Sequence, residues 1–138
     1  MDIVDPARRS RMMAGIRSKD TRPEMTVRSA AHALGYRFRI HRADLPGRPD
    51  LVFPGRRMVI FVHGCYWHRH EGCPYATTPK SNTEFWLEKF EKNVARDRKA
   101  MSELVELGWD PLVIWECETR DAKVLKERIA SHLGPTRG

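Results

Sequence analysis

The chain has 138 residues, 41% hydrophobic and 31% charged, a length that suits one domain around a single core. No stretch approaches the about 18 consecutive apolar residues of a membrane span. Lys plus Arg exceed Asp plus Glu by 25 to 18, a net charge of +7 and a pI near 9.7, which favours a polyanionic partner, nucleic acid ahead of an anionic membrane surface. The three cysteines are an odd count. No N-terminal apolar run reads as a secretory signal, so a cytoplasmic setting with reduced, metal-competent thiols is expected.

Taken in chain order, Asp5 to Ser18 is basic and contains methionines, and suits an arm or a short helix. Thr21-Arg-Pro-Glu24 matches a capping box, with proline in the first helical turn. The helix it opens runs to about Leu34 and stops at Gly35. Tyr36 to His41 alternates aromatic or apolar residues with basic ones, the pattern of a half-buried strand. Leu45-Pro-Gly-Arg-Pro-Asp50 is a loop rich in breakers. Asp50 to Phe53, a Pro54-Gly55 turn and Arg57 to Val62 form a hairpin whose second strand is nearly all apolar and therefore central.

His63 to Ser81 is a long irregular segment, which inside a compact domain needs an anchor. Asn82 to Leu107 predicts a long helix with Phe85, Leu87, Phe90, Val94, Met101, Leu104 and Leu107 as its apolar positions, ended by Gly108. Leu112 to Trp115 is a further buried strand, and Asp121 to Leu133 a terminal helix. The order α-β-β-β-α-β-α is that of an α/β (α+β) domain, a mixed sheet flanked by helices.

The chemistry concentrates in His63-Gly-Cys-Tyr-Trp-His-Arg-His-Glu-Gly-Cys73, which holds three of the six histidines and two of the three cysteines. Cys65, His70 and Cys73 have C-x4-H-x2-C spacing, and thiolate with imidazole is the donor set of a structural zinc. A fourth ligand is required. Cys117 supplies it if its strand lies beside Met58 to Val62, whose C-terminal ends would then converge; otherwise Cys117 is a small buried hydrophobe. His63 and His68 also lie near, and His70 is preferred as the residue closest to Cys73.

Asp50 opens a strand one hairpin away from His63. A carboxylate so placed can hold Mg²⁺, or can be a plain turn residue. Of the histidines left beside the zinc, His63 and His68 can exchange a proton near neutral pH, or serve only in packing. Glu24 reads first as the capping-box carboxylate. Tyr66 and Trp67 sit in a polar loop, where an exposed role against stacked bases is more natural than a core one; Trp86 suits either. Asn93-Val-Ala-Arg-Asp-Arg-Lys99 is a basic helical stretch, suited equally to phosphate contact and to a solvated face.

These motifs, together with Thr83-Glu-Phe-Trp86, Lys92-Asn93, Arg96-Asp97, Leu107-Gly-Trp109 and Val113-Ile-Trp-Glu116, resemble those of the very-short-patch repair (Vsr) DNA mismatch endonucleases, from about residue 8 to about residue 130. The resemblance implies a restriction-endonuclease-like core over residues 20–138 with one structural zinc, preceded by a DNA-gripping arm over residues 1–19. It implies a Mg²⁺-dependent nick 5′ of the thymine in T:G mismatches left by deaminated 5-methylcytosine, by a monomer functionally linked to a DNA cytosine-5 methyltransferase. By the same resemblance Asp50 and the Val62 backbone carbonyl bind Mg²⁺, His68 is the general base, and His63 and Glu24 support the water and metal network. Tyr66, Trp67 and Trp86 form the wedge beside the mismatch, and Cys65, His70, Cys73 and Cys117 bind the zinc. Three departures stand out: Phe61-Val62-His63 replaces the Glu-x-Lys of many related nucleases, Val62 stands where some members have threonine, and Tyr66 where phenylalanine is usual. Two rival readings remain, a restriction-type nuclease for undamaged DNA and a zinc-containing DNA-binding module without catalysis.

Overall fold

The structure, a computed structural model, describes residues 21–74 and 76–134. The expected arm lies outside these residues. Among the described residues three α-helices and three strands follow in the order α1 (Arg22–Ala33), β1 (Leu51–Phe53), β2 (Met58–His63), α2 (Thr83–Glu106), β3 (Asp110–Trp115) and α3 (Ala122–Leu133). β2 is central, antiparallel to β1 and parallel to β3. The mixed α/β architecture is therefore present, and the nearly unbroken apolar run of β2 explains its place, since a central strand is covered on both faces.

Side-chain alternation divides the core into two layers. Leu51, Phe53, Ile60 and Ile114 face α1 and α3, where they meet Val27, Ala30, Ala31, Leu125, Ile129 and Leu133. Val52, Val59 and Phe61 face the other way, toward Leu104 of α2 and Trp109.

α1 stops as its sequence dictates. Gly35 takes φ 93°, its N–H donates to the His32 carbonyl, and the Tyr36 N–H donates to the Ala31 carbonyl, which closes the helix with a left-handed glycine. Its start differs from expectation: the Thr21 side chain makes no capping hydrogen bond. Glu24 turns instead to Arg28, 3.3 Å away, because a buried carboxylate gains more from a guanidinium than from a neutral amide.

Two further expectations need correction. Tyr36 to His41 is not a strand; one bridge, Arg39 to Val52, survives, because His41 adopts φ 58° and turns the chain off the sheet edge. Phe85, Leu87 and Leu107 are exposed, at 58%, 45% and 54%. α2 turns the face that carries Phe90, Ala100 and Leu104 to the core, and Phe85, Leu87 and Leu107 fall outside that face.

The loop before β1 is pressed onto the sheet. At Gly47, with φ +73°, an added Cβ would come within 2.7 Å of the Ala100 Cβ and 3.1 Å of the Phe61 ring. That close approach fixes the chain leading into Asp50.

Candidate active site and metal centre

The parallel register of β2 and β3 sets His63 opposite Trp115. The turn after β2 therefore lies beside the short 3-10 segment Glu116–Arg120 that follows β3. This convergence gathers Cys65, His70, Cys73 and Cys117, whose ligand atoms all lie within 4.8 Å of one another. The His70 Nδ1 atom is 3.6 Å from Cys65 Sγ and 3.4 Å from Cys117 Sγ. A tetrahedral ion with bonds of about 2.3 Å to sulfur and 2.0 Å to nitrogen requires S···N edges of about 3.5 Å, so the spacing fits a Cys3His centre.

Neighbouring groups orient these ligands. The Cys117 backbone N–H donates to Cys65 Sγ at 3.4 Å. The His70 ring stacks on Trp115 with centroids 4.3 Å apart and 8° between planes. Burial pushes the Cys65 thiol up to about 12 and raises that of Cys117; such thiols become thiolates when a cation replaces their protons. Arg69 was not foreseen as a second anchor of this loop. Its guanidinium donates to the carbonyls of Thr77 at 2.8 Å and Ala76 at 2.9 Å, and it lies over the Phe90 ring at 4.1 Å.

A second cluster stands on the other side of the β2 end. Asp50 enters β1 with its N–H on the Ile60 carbonyl, and its Oδ2 accepts the Val62 N–H at 2.6 Å. Asp50 and Val62 are thus neighbours across the hairpin. Burial pushes the Asp50 carboxyl up to about 7, opposed by the Val62 N–H and reinforced by the nearby Glu24 carboxylate. Glu24, 12% exposed, is brought here by α1. Two half-buried carboxylates facing one another, with backbone beside them, are a hard-oxygen donor set of the kind that suits Mg²⁺.

His63 follows directly and is 5% exposed. Burial, with the adjacent His68, pushes its imidazole down to about 4, so it is neutral at pH 7. The His63 and His68 rings stack at 4.0 Å and 8°. His68 Nδ1 in turn is 2.6 Å from Asp97 Oδ2 on α2. That short bond to a carboxylate fixes Nδ1 as the protonated nitrogen and leaves Nε2 as the basic one. Asp97 was missed as a site residue, because in the sequence it is one acid within a basic helical stretch; its signal is its spacing on the helix whose Asn93 donates to the Trp67 carbonyl at 3.3 Å.

The aromatic residues also converge, with one correction. Trp67 is buried, at 8% exposure, rather than projecting into solvent. The turn after β2 folds its ring onto α2, edge-on to Tyr66 at 5.0 Å and 6.1 Å from Trp86, because burying an indole gains more than hydrating it. Tyr66 and Trp86 stay half-exposed, and the exposed ring of the group is Phe85, 5.3 Å from Trp86.

No described helix is long and apolar enough to cross a membrane. Residues 1–73 match the family model for the DNA mismatch endonuclease Vsr. The chain is 50% identical over 135 residues, 98% of each chain, to the type II nicking enzyme V.XorIIP of Xanthomonas oryzae pv. oryzae. It is 47% identical over 126 residues, 91% of this chain and 80% of the relative, to the DNA mismatch endonuclease Vsr of Escherichia coli. The type II nicking enzyme V.NmeAIP of Neisseria meningitidis is 41% identical over 128 residues. Matches of this extent, on a scaffold that gathers carboxylates, paired histidines and a Cys3His cluster at one end of its sheet, place the chain in the Vsr family of DNA endonucleases.

Proposed function

We propose that this endonuclease nicks one strand of duplex DNA 5′ of the thymine in a T:G mismatch left by deamination of 5-methylcytosine, using a restriction-endonuclease-like core over residues 20–138. The observation that supports it most is the continuous chain of contacts from Glu24 and Asp50 through Val62 and His63 to His68 and Asp97. Asp50 and the Val62 carbonyl would hold Mg²⁺, which polarises a scissile phosphate and acidifies bound water. Asp97 holds the His68 imidazole so that Nε2 accepts a proton from the attacking water. His63, neutral and stacked on His68, keeps that ring in place and excludes water from its far face. Glu24 confines the carboxylate of Asp50.

Cys65, His70, Cys73 and Cys117 would hold zinc in a closed shell with no position for water, so its part is structural. Tyr66, Trp67 and Trp86 contact the mismatch from the helix α2 side, with Trp67 leaving its buried position when DNA binds. The basic residues 1–19 grip the duplex. The enzyme acts as a cytoplasmic monomer alongside a DNA cytosine-5 methyltransferase, whose product creates the lesion.

A strand-resolved nicking assay tests this. Duplexes carrying T:G or C:G at one position are incubated with Mg²⁺ and either the native chain or Asp50→Ala. A nick only beside the mismatched thymine, lost in Asp50→Ala, is the expected result. Equal cutting of both duplexes would identify a restriction-type enzyme for undamaged sites, and DNA binding without any cut would identify a non-catalytic module.

A further inference from the structure

The far end of the sheet carries a feature that nicking does not use. A cavity of about 410 Å³ is walled by Tyr36, Phe38 and Phe53 and ringed by Arg37, Arg39 and Arg56, and no acidic residue is among the described residues that line it. It sits at the hairpin end, where Phe53 pairs with Met58, while Asp50 and His63 lie at the opposite end. At about 3.3 Å per residue, β2 separates the two by roughly 17 Å. Arg56 is engaged, donating to the Leu133 carbonyl at 2.6 Å and lying over the Tyr36 ring at 5.1 Å. Arg37 and Arg39 are exposed, and among the described residues no ion pair or hydrogen bond engages their guanidinium groups.

The backbone beside this cavity is also incomplete. Arg39 exchanges both of its hydrogen bonds with Val52, at 2.8 and 2.9 Å. In an extended chain the next amides face the other way, so the N–H and C=O groups of Phe38 and Ile40 point away from β1, and neither makes a backbone hydrogen bond to another described residue. Ile40 is 38% exposed. Among the described residues this is a short open sheet edge, with alternating donors and acceptors, next to an aromatic pocket and two arginines that no described acid neutralises.

We infer that this edge is a docking site for an extended acidic segment of a partner protein. The segment adds as a strand along Phe38 to Ile40, sets carboxylates on Arg37 and Arg39, and places an apolar side chain in the cavity. A nucleic acid would satisfy the arginines, but has no complement for the paired donors and acceptors of the edge. The inference stands apart from the mismatch reading, because it uses none of the residues of the catalytic end.

The probe is a short fluorescent peptide alternating glutamate with valine or phenylalanine, titrated into the full chain and followed by anisotropy and by amide chemical shifts. Saturable binding is expected, with shifts at Phe38 and Ile40. Arg37→Glu with Arg39→Glu should weaken binding about tenfold or more. Lys123→Glu with Lys126→Glu, exposed on α3 and equal in net charge, should not. N-methylation of alternate peptide amides should abolish binding. The inference is overturned if no saturable binding occurs, if the N-methylated peptide still binds, if Lys123→Glu with Lys126→Glu weakens binding as much as Arg37→Glu with Arg39→Glu, or if a mismatched duplex displaces the peptide, which would assign the pocket to DNA.

Discussion

Asp97→Asn is the most informative single change, because it alters one atom of a residue that need not touch DNA. In the native chain Asp97 Oδ2 is 2.6 Å from His68 Nδ1, with both side chains partly buried, at 25% and 30% exposure. A hydrogen bond to a charged partner contributes about 1.5–3 kcal/mol. At 1.36 kcal/mol per decade, loss of orientation alone slows nicking about 10- to 150-fold. An asparagine that presents its amide N–H to Nδ1 also forces the proton onto Nε2. The whole contribution of the base, about 10²- to 10⁴-fold, is then lost. Single-turnover nicking on a T:G duplex gives the rate, and a mobility-shift titration confirms that affinity is retained. Asp97→Asn combined with His68→Ala should be little slower than His68→Ala alone, since residues acting as one unit are not additive. A rate within about threefold of the native chain, or two losses that multiply fully, would refute the assignment of Asp97 as the group that positions His68.

Three further outcomes follow from the scaffold. Elemental analysis should find one zinc per chain, and stripping it, or Cys73→Ser, should unfold the chain or bring it to the edge of unfolding, since structural zinc contributes about 10–16 kcal/mol in small domains against a typical stability of about 5–15 kcal/mol; a metal-free chain with an unchanged melting temperature would count against the centre. Gly47→Ala should cost about 1–3 kcal/mol in urea denaturation, because its Cβ meets Ala100 at 2.7 Å with φ at +73°, and adding Ala100→Gly should recover part of the loss; a neutral Gly47→Ala would show that the loop is not pressed against α2. Ile60→Ala, at a position with no exposure in the central strand, should cost about 2–5 kcal/mol, and a cost below about 1 kcal/mol would mean that the two core layers are not packed through β2.

Local signals in the sequence were enough for the helices, the hairpin, the central place of β2 and the clustering of thiols and imidazoles after it. Those features depend on neighbours three to eight residues apart: a glycine that ends α1, an apolar run that needs cover on both faces, and a ligand spacing within one turn. The Thr21 to Glu24 pattern was equally local and still misled, since Glu24 found Arg28 and Asp50, partners that a capping pattern does not reveal. Only the tertiary structure could bring Cys117 to Cys65, because that contact depends on parallel pairing across 52 residues. The same holds for Asp97, which reaches His68 from 29 residues away in sequence on α2, and for Trp67, whose burial is decided by the face of α2 that receives it. Hydrophobic patterning and turn chemistry act between neighbours, whereas a histidine–carboxylate pair, the fourth member of a Cys/His cluster and a buried indole are set by which elements meet, and the energy that selects those meetings is spread over the whole core.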